Sequence, residues 1–149
     1  MDFRKPNKIG KAYKKYRQKN QNSPKDYNFY ERVKNEKGVV EDLEFFIVAK
    51  NLFGYQIWDG FEVREHLLVI PKRFVEGINE FSKQEFDEFQ KILAKYEAKG
   101  FSIYARAPKN KSKTVMHQHT HLIIHSNRRL KWLISKQGKF LWWRTRHYE

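Results

Sequence analysis

The chain has 149 residues, of which 40% are hydrophobic and 16% aromatic, and its formal net charge is +14 at pH 7. This length fits one compact domain, and the absence of cysteine excludes disulfides, thiolate metal sites and cysteine nucleophiles. No apolar run approaches the ~20 residues of a membrane span, and none follows the basic N-terminus, so we expect no signal peptide, no membrane association and a cytoplasmic location.

The positive charge lies at the two ends of the sequence. Residues 1–25 hold nine lysines and arginines against one acid, and residues 126–149 hold seven against one, whereas residues 26–125 hold fifteen of each. This division predicts a basic N-terminal arm or helix over 1–25 and a neutral central domain over 26–125. Residues 126–149 would form a basic, Trp-rich extension that packs on or flanks the domain. Two basic ends beside a neutral domain suggest contact with a polyanion.

The first half of the chain predicts a short helix and then strands. An apolar stripe at helical spacing predicts a short basic helix within residues 1–25 that is ordered only if the stripe docks, and a disordered basic arm stays an equal alternative (Ile9, Ala12, Tyr13, Tyr16). Short strands are predicted over Tyr27–Val33, Leu43–Lys50 and His66–Ile70, with Pro71 ending the last and Tyr55–Trp58 as a further candidate. Turns are predicted at Glu36–Gly38, Asn51–Gly54 and Asp59–Gly60.

One main helix follows. Ser82 and Glu85 have the spacing of a capping box, an apolar stripe continues from them, and Gly100 stands where a helix ends (stripe: Phe86, Phe89, Leu93, Tyr96). Beyond it we expect a strand at Phe101–Ala107, a basic loop at Pro108–Lys113, a strand at Val115–His125, and over Leu130–Tyr148 a hairpin or a short strand with a tail. This order predicts a single α+β domain with an antiparallel sheet and one main helix.

Four of the six histidines fall within nine residues, at positions 117, 119, 121 and 125. On a strand they would share one face, because alternate side chains point the same way. Two kinds of chemistry fit this pattern. Two such imidazoles can hold zinc with a third ligand from elsewhere, such as His66 or an acid. Alternatively, a neutral imidazole can attack phosphorus near pH 7.

Two sequence blocks resemble the histidine-triad family of nucleotide hydrolases and transferases. Met116–His125, MHQHTHLIIH, matches three alternating histidines followed by two apolar residues, although Gln118 and Thr120 stand where the family usually has apolar residues. Glu65–Phe74, EHLLVIPKRF, resembles the family's earlier strand, which carries a histidine, an apolar run and Pro-Lys. Together the two blocks favour phosphorus chemistry over zinc. They imply that residues 26–125 form a histidine-triad-like catalytic domain.

The resemblance implies a role for each site residue. His119 would attack the α-phosphorus of a nucleotide and form a covalent nucleotidyl-histidine, and the backbone carbonyl of His117 would orient it. His121 would lie beside the phosphate, and His66 would support the triad. The expected phosphate-binding residues are Thr114, Asn110 and Arg106. The expected nucleoside-binding residues are Asp59, Trp58 and Ile57.

The resemblance implies neither a cofactor nor a metal, and Phe74 stands where many relatives have another histidine. The expected substrate is a nucleotide or nucleotide conjugate of adenosine or guanosine type, cleaved by a phosphoramidase or a nucleotidyl-ester or anhydride hydrolase. The basic ends make nucleic acid a candidate partner, and a homodimer is a further expectation. Two alternatives stay open: a non-enzymatic nucleic-acid-binding module on the same fold, and a metal-dependent enzyme.

Overall fold

The computed structural model describes residues 7–19, 29–35, 38–111, 113–129, 135–137 and 140–142. Its helices are α1 (Asn7–Lys19), α2 (Phe29–Asn35) and α3 (Lys83–Glu97), and a short 3-10 turn spans Ile78–Glu80. Its strands are β1 (Val39–Asp42), β2 (Phe46–Lys50), β3 (Ile57–Trp58), β4 (Phe61–Pro71), β5 (Ser102–Ala105), β6 (Thr120–Arg129), β7 (Ser135–Gln137) and β8 (Phe140–Trp142).

Six strands form one antiparallel sheet. The strand order is β1-β2-β4-β6-β5, and β3 forms a hairpin with β4. Asp59 and Gly60 make the two-residue turn of that hairpin with φ angles of 50° and 81°, which suits a turn with both central residues in the left-handed region. The α+β class expected from the sequence is therefore confirmed.

The sheet is covered on both faces, so β2 and β4 read as continuous apolar runs. On one face Phe46, Val48, Leu67, Val69 and Leu122 pack against α3. On the other face a second apolar cluster packs against α2 (Phe29, Val33, Ile47, Ala49, Leu68, Ile70). The two faces alternate along each strand, which fixes the strand register because a one-residue slip would turn each cluster out of its layer.

The start of α3 is held by the predicted capping box. The Ser82 hydroxyl accepts from the Glu85 amide at 3.2 Å, and the Glu85 carboxylate accepts from the Ser82 amide at 2.7 Å. Arg73 adds two hydrogen bonds to the same carboxylate, at 3.0 and 2.8 Å. These contacts join the helix to the segment that leaves β4.

The apolar stripe of α3 differs from the predicted one. The buried residues are Glu85, Phe89, Ile92 and Tyr96, whereas Phe86 is 41% exposed. Phe89 and Tyr96 are thus buried as predicted, and Leu93 packs partly buried against the same cluster, so the difference is that Glu85 and Ile92 are buried and Phe86 is not. At the other end Gly100 has a φ of 85°, as expected for the residue that ends the helix.

Two strand predictions are corrected by the structure. Residues 29–35 are helical, so the strand expected over Tyr27–Val33 is wrong; Phe29 and Val33, four residues apart, share a helical face in the second apolar cluster. The strand expected over Val115–His125 begins at Thr120 and continues to Arg129, across the domain boundary predicted at 125. It extends because β4 begins at Phe61, which pairs with Arg129.

Smaller boundary differences follow from local hydrogen bonds. The strand expected from Leu43 begins at Phe46, because the Leu43 amide bonds the Phe46 carbonyl in a turn. The strand expected over Phe101–Ala107 ends at Ala105. In the C-terminal segment β7 and β8 pair antiparallel, which matches the hairpin alternative. Residues 20–28, 36–37, 130–134 and 143–149 lie outside the described residues.

Among the helices that the structure describes, none is long and apolar enough to cross a membrane.

The pKa of Glu85 provides a test of the α3 anchor. Arg73 and the cap hydrogen bonds lower that pKa from 4.5 to about 2, so the interaction stabilises the fold fully above pH 4.5 and is lost as pH falls towards 2. We expect Glu85→Gln to lower the free energy of unfolding at neutral pH by about 1–2 kcal/mol, allowing for the solvent exposure of Arg73.

Urea unfolding of both proteins across this pH range gives the comparison. The stability difference should shrink steadily below pH 4.5. Glu97→Gln, an exposed site at the far end of α3, is the matched control and should change little. A difference between wild type and Glu85→Gln that stays constant down to pH 2 would contradict the proposed ion pair.

Candidate active site

Two central strands and the segment before β6 bring four histidines together. His121 lies in β6 opposite Leu68 of β4, and His66 lies in β4 opposite Ile123. His117 and His119 precede β6 in a segment held by a 2.7 Å bond from the Gln118 amide to the Val75 carbonyl. All four expected histidines are therefore placed by the β4–β6 pairing and the chain that leads into it.

The His119 ring is fixed by its own backbone neighbour. Its Nδ1–H donates to the His117 carbonyl at 2.8 Å, which leaves the lone pair on Nε2 in the neutral ring. The side chain keeps partial solvent access, yet the surrounding protein lowers its pKa from 6.5 to about 4, chiefly by desolvation. The cations of Lys113 and Arg106 lower that pKa further. His119 is consequently neutral at pH 7.

A chain of hydrogen bonds defines the tautomers of His66 and His121. The Tyr55 amide donates to His66 Nδ1 at 2.9 Å, so the proton of the neutral His66 ring lies on Nε2. That proton is donated to His121 Nδ1 at 2.8 Å, which in turn places the His121 proton on Nε2. Asn51 Nδ2, 3.3 Å from His66 Nε2, then faces a donor and adds no hydrogen bond there.

The first triad histidine has a structural position. His117 is 1% exposed, and its Nε2–H donates to the Pro71 carbonyl at the end of β4, at 2.9 Å. Phe74 packs against its ring at 5.3 Å, in the place where the sequence suggested a lost histidine. From α2, Phe29 lies 5.4 Å from the His119 ring, so this helix covers one side of the candidate nucleophile.

The loop before the triad supplies cations and hydroxyls. Arg106 donates to the Tyr55 hydroxyl at 3.0 Å and lies over the Tyr104 ring. Thr114 is exposed and shares a 3.0 Å hydrogen bond with the hydroxyl of Tyr13 in α1. Asn110 is exposed in the turn, where its backbone carbonyl accepts from the Lys113 amide. The structure therefore sets Arg106 among aromatic residues that contact His121, and Thr114 at a rim formed with α1.

Lys113 is a site residue that the sequence interpretation missed. It is 9% exposed, and its ammonium donates to the Glu76 carbonyl at 2.6 Å. Burial lowers its own pKa, and its charge acts on His119. Its only sequence signal was a lysine inside a basic loop, a pattern that far more often marks a solvated surface.

The two unusual polar residues of the triad motif are both buried. Gln118 Oε1 lies 3.5 Å from the Lys113 ammonium, so this buried polar side chain lies next to a buried cation. Thr120 fills a strand position 1% exposed, and within the described residues its hydroxyl has no hydrogen-bond partner. Because Thr has nearly the shape of Val, the apolar packing expected at this position is kept.

An aromatic wall adjoins His121. Tyr55 stacks on its ring at 5.5 Å, and Tyr104 lies 5.7 Å from it. Trp58 packs on both tyrosines, at 5.4 and 5.0 Å. Tyr55 and Tyr104 were not anticipated from the sequence, because no local motif marks them. Among the residues predicted to bind the nucleoside, Trp58 is thus separated from His121 by one aromatic ring.

The other two predicted nucleoside residues lie farther out. Ile57 pairs with Glu62 in the hairpin, and Asp59 is exposed in its turn. In β4, Phe61 next to this turn lies seven positions before Leu68, which pairs with His121. At ~3.3 Å per residue that separation is about 20 Å. Asp59 therefore lies far along the strand from the position that pairs with His121.

A groove of about 410 Å³ borders His66 and Tyr55. Its lining includes Lys50, Arg64 and Glu65 but none of the triad histidines. A phosphorus atom in this groove would not face His119, so we do not assign the reacting group to it.

Each of the four site histidines has at least one ring nitrogen in a hydrogen bond within the protein. His117 Nε2 and His119 Nδ1 both donate to backbone carbonyls, and His66 donates to His121. Among the described residues no three His, Asp or Glu side chains form a group that could hold a metal ion.

Neither a protein-family model nor a curated protein matches this sequence, but solved structures match the fold. A structure described as "Hit Like Protein" aligns over 66% of this chain and 97% of its own, with a TM-score of 0.50 and 20% identity. A hypothetical protein from Leishmania major aligns over 74% and 84%, with a TM-score of 0.51 and 19% identity. A histidine triad protein from Clostridium difficile aligns over 74% of this chain and 98% of its own, with a TM-score of 0.49 and 17% identity.

These likenesses concern the fold. The chain has a histidine-triad-like fold, as its two sequence blocks predicted. The chemistry of the site has to be argued from its own residues.

The effect of Lys113 on His119 can be tested by NMR titration of the histidine rings. Desolvation is the main cause of the low His119 pKa and would remain, but removing the buried cation should still raise that pKa above about 4, because a neighbouring positive charge disfavours the imidazolium. We expect this shift in Lys113→Met, where Met keeps most of the buried stem. Lys109→Met, an exposed change in the same loop, should leave the His119 titration in place. An unchanged titration in Lys113→Met would contradict this electrostatic coupling.

Proposed function

We propose that this protein is a nucleotidyl hydrolase or transferase that works through a covalent nucleotidyl-histidine on His119. The observation that carries the proposal is the 2.8 Å hydrogen bond from His119 Nδ1 to the His117 carbonyl, on a ring whose pKa is lowered to about 4. A ring held in this way has one tautomer, and its Nε2 lone pair is available at neutral pH. Those are the properties that a nitrogen nucleophile needs.

The proposed reaction has two displacements at phosphorus. In the first, Nε2 of His119 forms a bond to the α-phosphorus while the bond to the leaving group breaks; the leaving group departs with that electron pair and takes a proton from solvent. In the second, water attacks the same phosphorus and releases a proton to solvent, and the P–N bond breaks with its electron pair returning to Nε2. The products are a nucleoside monophosphate and neutral His119; an acceptor other than water would make the protein a transferase.

The neighbouring groups suit the charge that develops on the phosphoryl oxygens. His121 carries its proton on Nε2 because His66 donates to its Nδ1, so it can donate to a phosphoryl oxygen. Arg106 and Lys113 supply positive charge beside His119. Asn110 and Thr114 are the proposed polar contacts in the loop. Fixed donors of this kind stabilise a transition state without reorganising.

The proposed substrate is a nucleotide or nucleotide conjugate with an adenosine or guanosine group. The partly exposed rings of Trp58 and Tyr104 offer an aromatic surface for the base, and the buried Tyr55 ring lies between Trp58 and His121. Ile57 and Asp59 would lie at the outer end of this surface. The scissile bond is a phosphoramidate, an ester or an anhydride. A homodimer stays a prediction.

A second candidate function is non-enzymatic binding of nucleic acid on the same fold. The observation that favours it is α1, which has six lysines and arginines and no acid in thirteen residues. A protein of this kind would bind oligonucleotides with a steep salt dependence and would form no covalent adduct. The adduct therefore separates the two functions.

The nucleophile is tested with the p-nitrophenyl ester of adenosine monophosphate, whose leaving group needs little help from an acid. Rapid quenching and mass spectrometry should find one nucleotidyl group on the peptide that contains His119. His119→Ala should lose the adduct and lower kcat by a factor of about 1,000 or more, because the nitrogen that accepts the phosphoryl group is absent.

His125→Ala is the matched control, since His125 belongs to the same histidine-rich block but stacks on Phe61 away from the triad. It should keep near wild-type activity. Near wild-type turnover by His119→Ala, or an adduct on another residue, would rule out the assigned nucleophile.

The reaction should need no metal ion. Every proposed step uses an imidazole, a cation or a hydrogen bond of the chain, so we expect treatment with a chelator to leave kcat/KM unchanged. Elemental analysis of the same samples completes the measurement. Loss of stoichiometric zinc together with activity would contradict this prediction and favour a metal-dependent enzyme.

A further inference from the structure

The basic N-terminal helix reaches the rim of the histidine site. Tyr13 of α1 shares a 3.0 Å hydrogen bond with Thr114, a residue 101 positions later in the chain. The Tyr13 ring also packs on Phe53, at 5.3 Å, in the turn after β2. Thr114 lies three residues before His117, and the Phe53 amide bonds Asn51, which contacts His66. Tyr13 thus bridges two loops that border the triad.

This contact brings together two cationic segments that contain no acid. The first is α1, with six lysines and arginines. The second is the loop before the triad, with Arg106, Lys109, Lys111 and Lys113. No aspartate or glutamate occurs from Ala98 to Tyr148, so no acid from this part of the chain offsets the charge.

The aromatic wall and α1 border the site through different residues. The wall contacts His121, which follows the nucleophile, whereas Tyr13 contacts Thr114, which precedes it. In a displacement at phosphorus the leaving group departs from the side opposite the nucleophile, and the nucleoside occupies another direction. If the nucleoside binds the aromatic wall, the rim at Thr114 is left for the leaving group.

The lysines of α1 flank Tyr13 in the sequence. At about 100° per residue, Lys14 lies a quarter turn from Tyr13, while Lys11 and Lys15 lie near the opposite face. All three are exposed. The helix is roughly 20 Å long, since its thirteen residues rise ~1.5 Å each. A chain of phosphates that passes Tyr13 would meet Lys14 first and could continue over the outer face.

We propose that α1 forms the leaving-group side of the site, and that Tyr13 with Thr114 selects leaving groups that carry phosphate groups of their own. This inference rests on the proposed function. Tyr13 contributes a hydroxyl that bonds a phosphate oxygen of the leaving group beside Thr114. The lysines of α1 contribute charge, which gives no advantage to a neutral amine or a phenol.

The first test compares leaving groups in Tyr13→Phe, which keeps the ring on Phe53 and loses the hydroxyl. For diadenosine tetraphosphate and a 5′-adenylated oligonucleotide we expect kcat/KM to fall about tenfold, the effect of one hydrogen bond to a charged group. For the p-nitrophenyl ester kcat/KM should stay near the wild-type value. An equal loss on all substrates, or no loss on any, would overturn the proposal.

The second test removes charge from the outer face with Lys11→Gln, Lys14→Gln and Lys15→Gln together. Lys91→Gln, exposed on α3 across the sheet, is the control. A selective, salt-dependent loss for both phosphate-bearing substrates would identify a short phosphate chain as sufficient. A loss for the oligonucleotide alone would identify a nucleic-acid strand as the source of the phosphates. The absence of any selective loss would count against the role of α1.

A binding measurement separates this inference from the proposed function. The full chain is titrated with inorganic triphosphate and with a 5′-phosphorylated oligonucleotide, as models of departing groups. Weaker binding by Tyr13→Phe supports the α1 site even if no His119 adduct forms, in which case only the proposed function fails. An adduct on His119 together with equal binding by both proteins means that the α1 site is wrong and the proposed function stands.

Discussion

The hydrogen bond from His119 Nδ1 to the His117 carbonyl is the constraint on which the site depends. It selects one tautomer of His119, and it can form only if the chain between these residues is extended and fixed. The Gln118 amide is bonded to Val75, and the His117 ring is bonded to Pro71 at the end of β4. The sheet thus positions His119, the proposed nucleophile, through backbone atoms.

Hydrogen bonds also fix where the ring protons lie around His119. In neutral rings, His66 accepts from the Tyr55 amide and donates to His121, while His117 and His119 donate to backbone carbonyls. Cations nearby then disfavour protonation of His119 and favour an anionic substrate in the same place. A buried lysine at Lys113 is costly without a ligand, but its hydrogen bond to Glu76 fixes where its charge lies.

The sequence predicted the parts of the fold that depend on local pattern. The α3 cap, the β4 apolar run and the Asp59–Gly60 turn each follow from residues close together in the chain. The strand predicted over residues 27–33 is wrong. Phe29 and Val33 lie on one face of the helix Phe29–Asn35, and the residues that bury this face in the second apolar cluster come much later in the sequence. The β6 boundary was displaced for a similar reason, since the length of β4 determines where its partner ends.

The candidate site likewise contains some residues that a local motif identifies and others that only tertiary contacts bring in. The motif identified the four histidines, which the structure brings together, and it pointed to Arg106 and Thr114. Lys113, Tyr55, Tyr104 and Tyr13 reach the site only through tertiary contacts, so no spacing rule could have found them. Asp59 is the opposite case. Its residue type suits a ribose, but it lies in a turn about 20 Å along β4 from Leu68, the residue that pairs with His121.

The most direct test of the central claim is the stereochemical course at phosphorus. A nucleotide ester made chiral at the α-phosphorus with oxygen isotopes or sulfur is cleaved by the wild-type protein, and the configuration of the monophosphate is determined. Two in-line displacements through His119 predict net retention of configuration. Net inversion would mean that water attacks phosphorus directly, and it would contradict the covalent nucleotidyl-histidine.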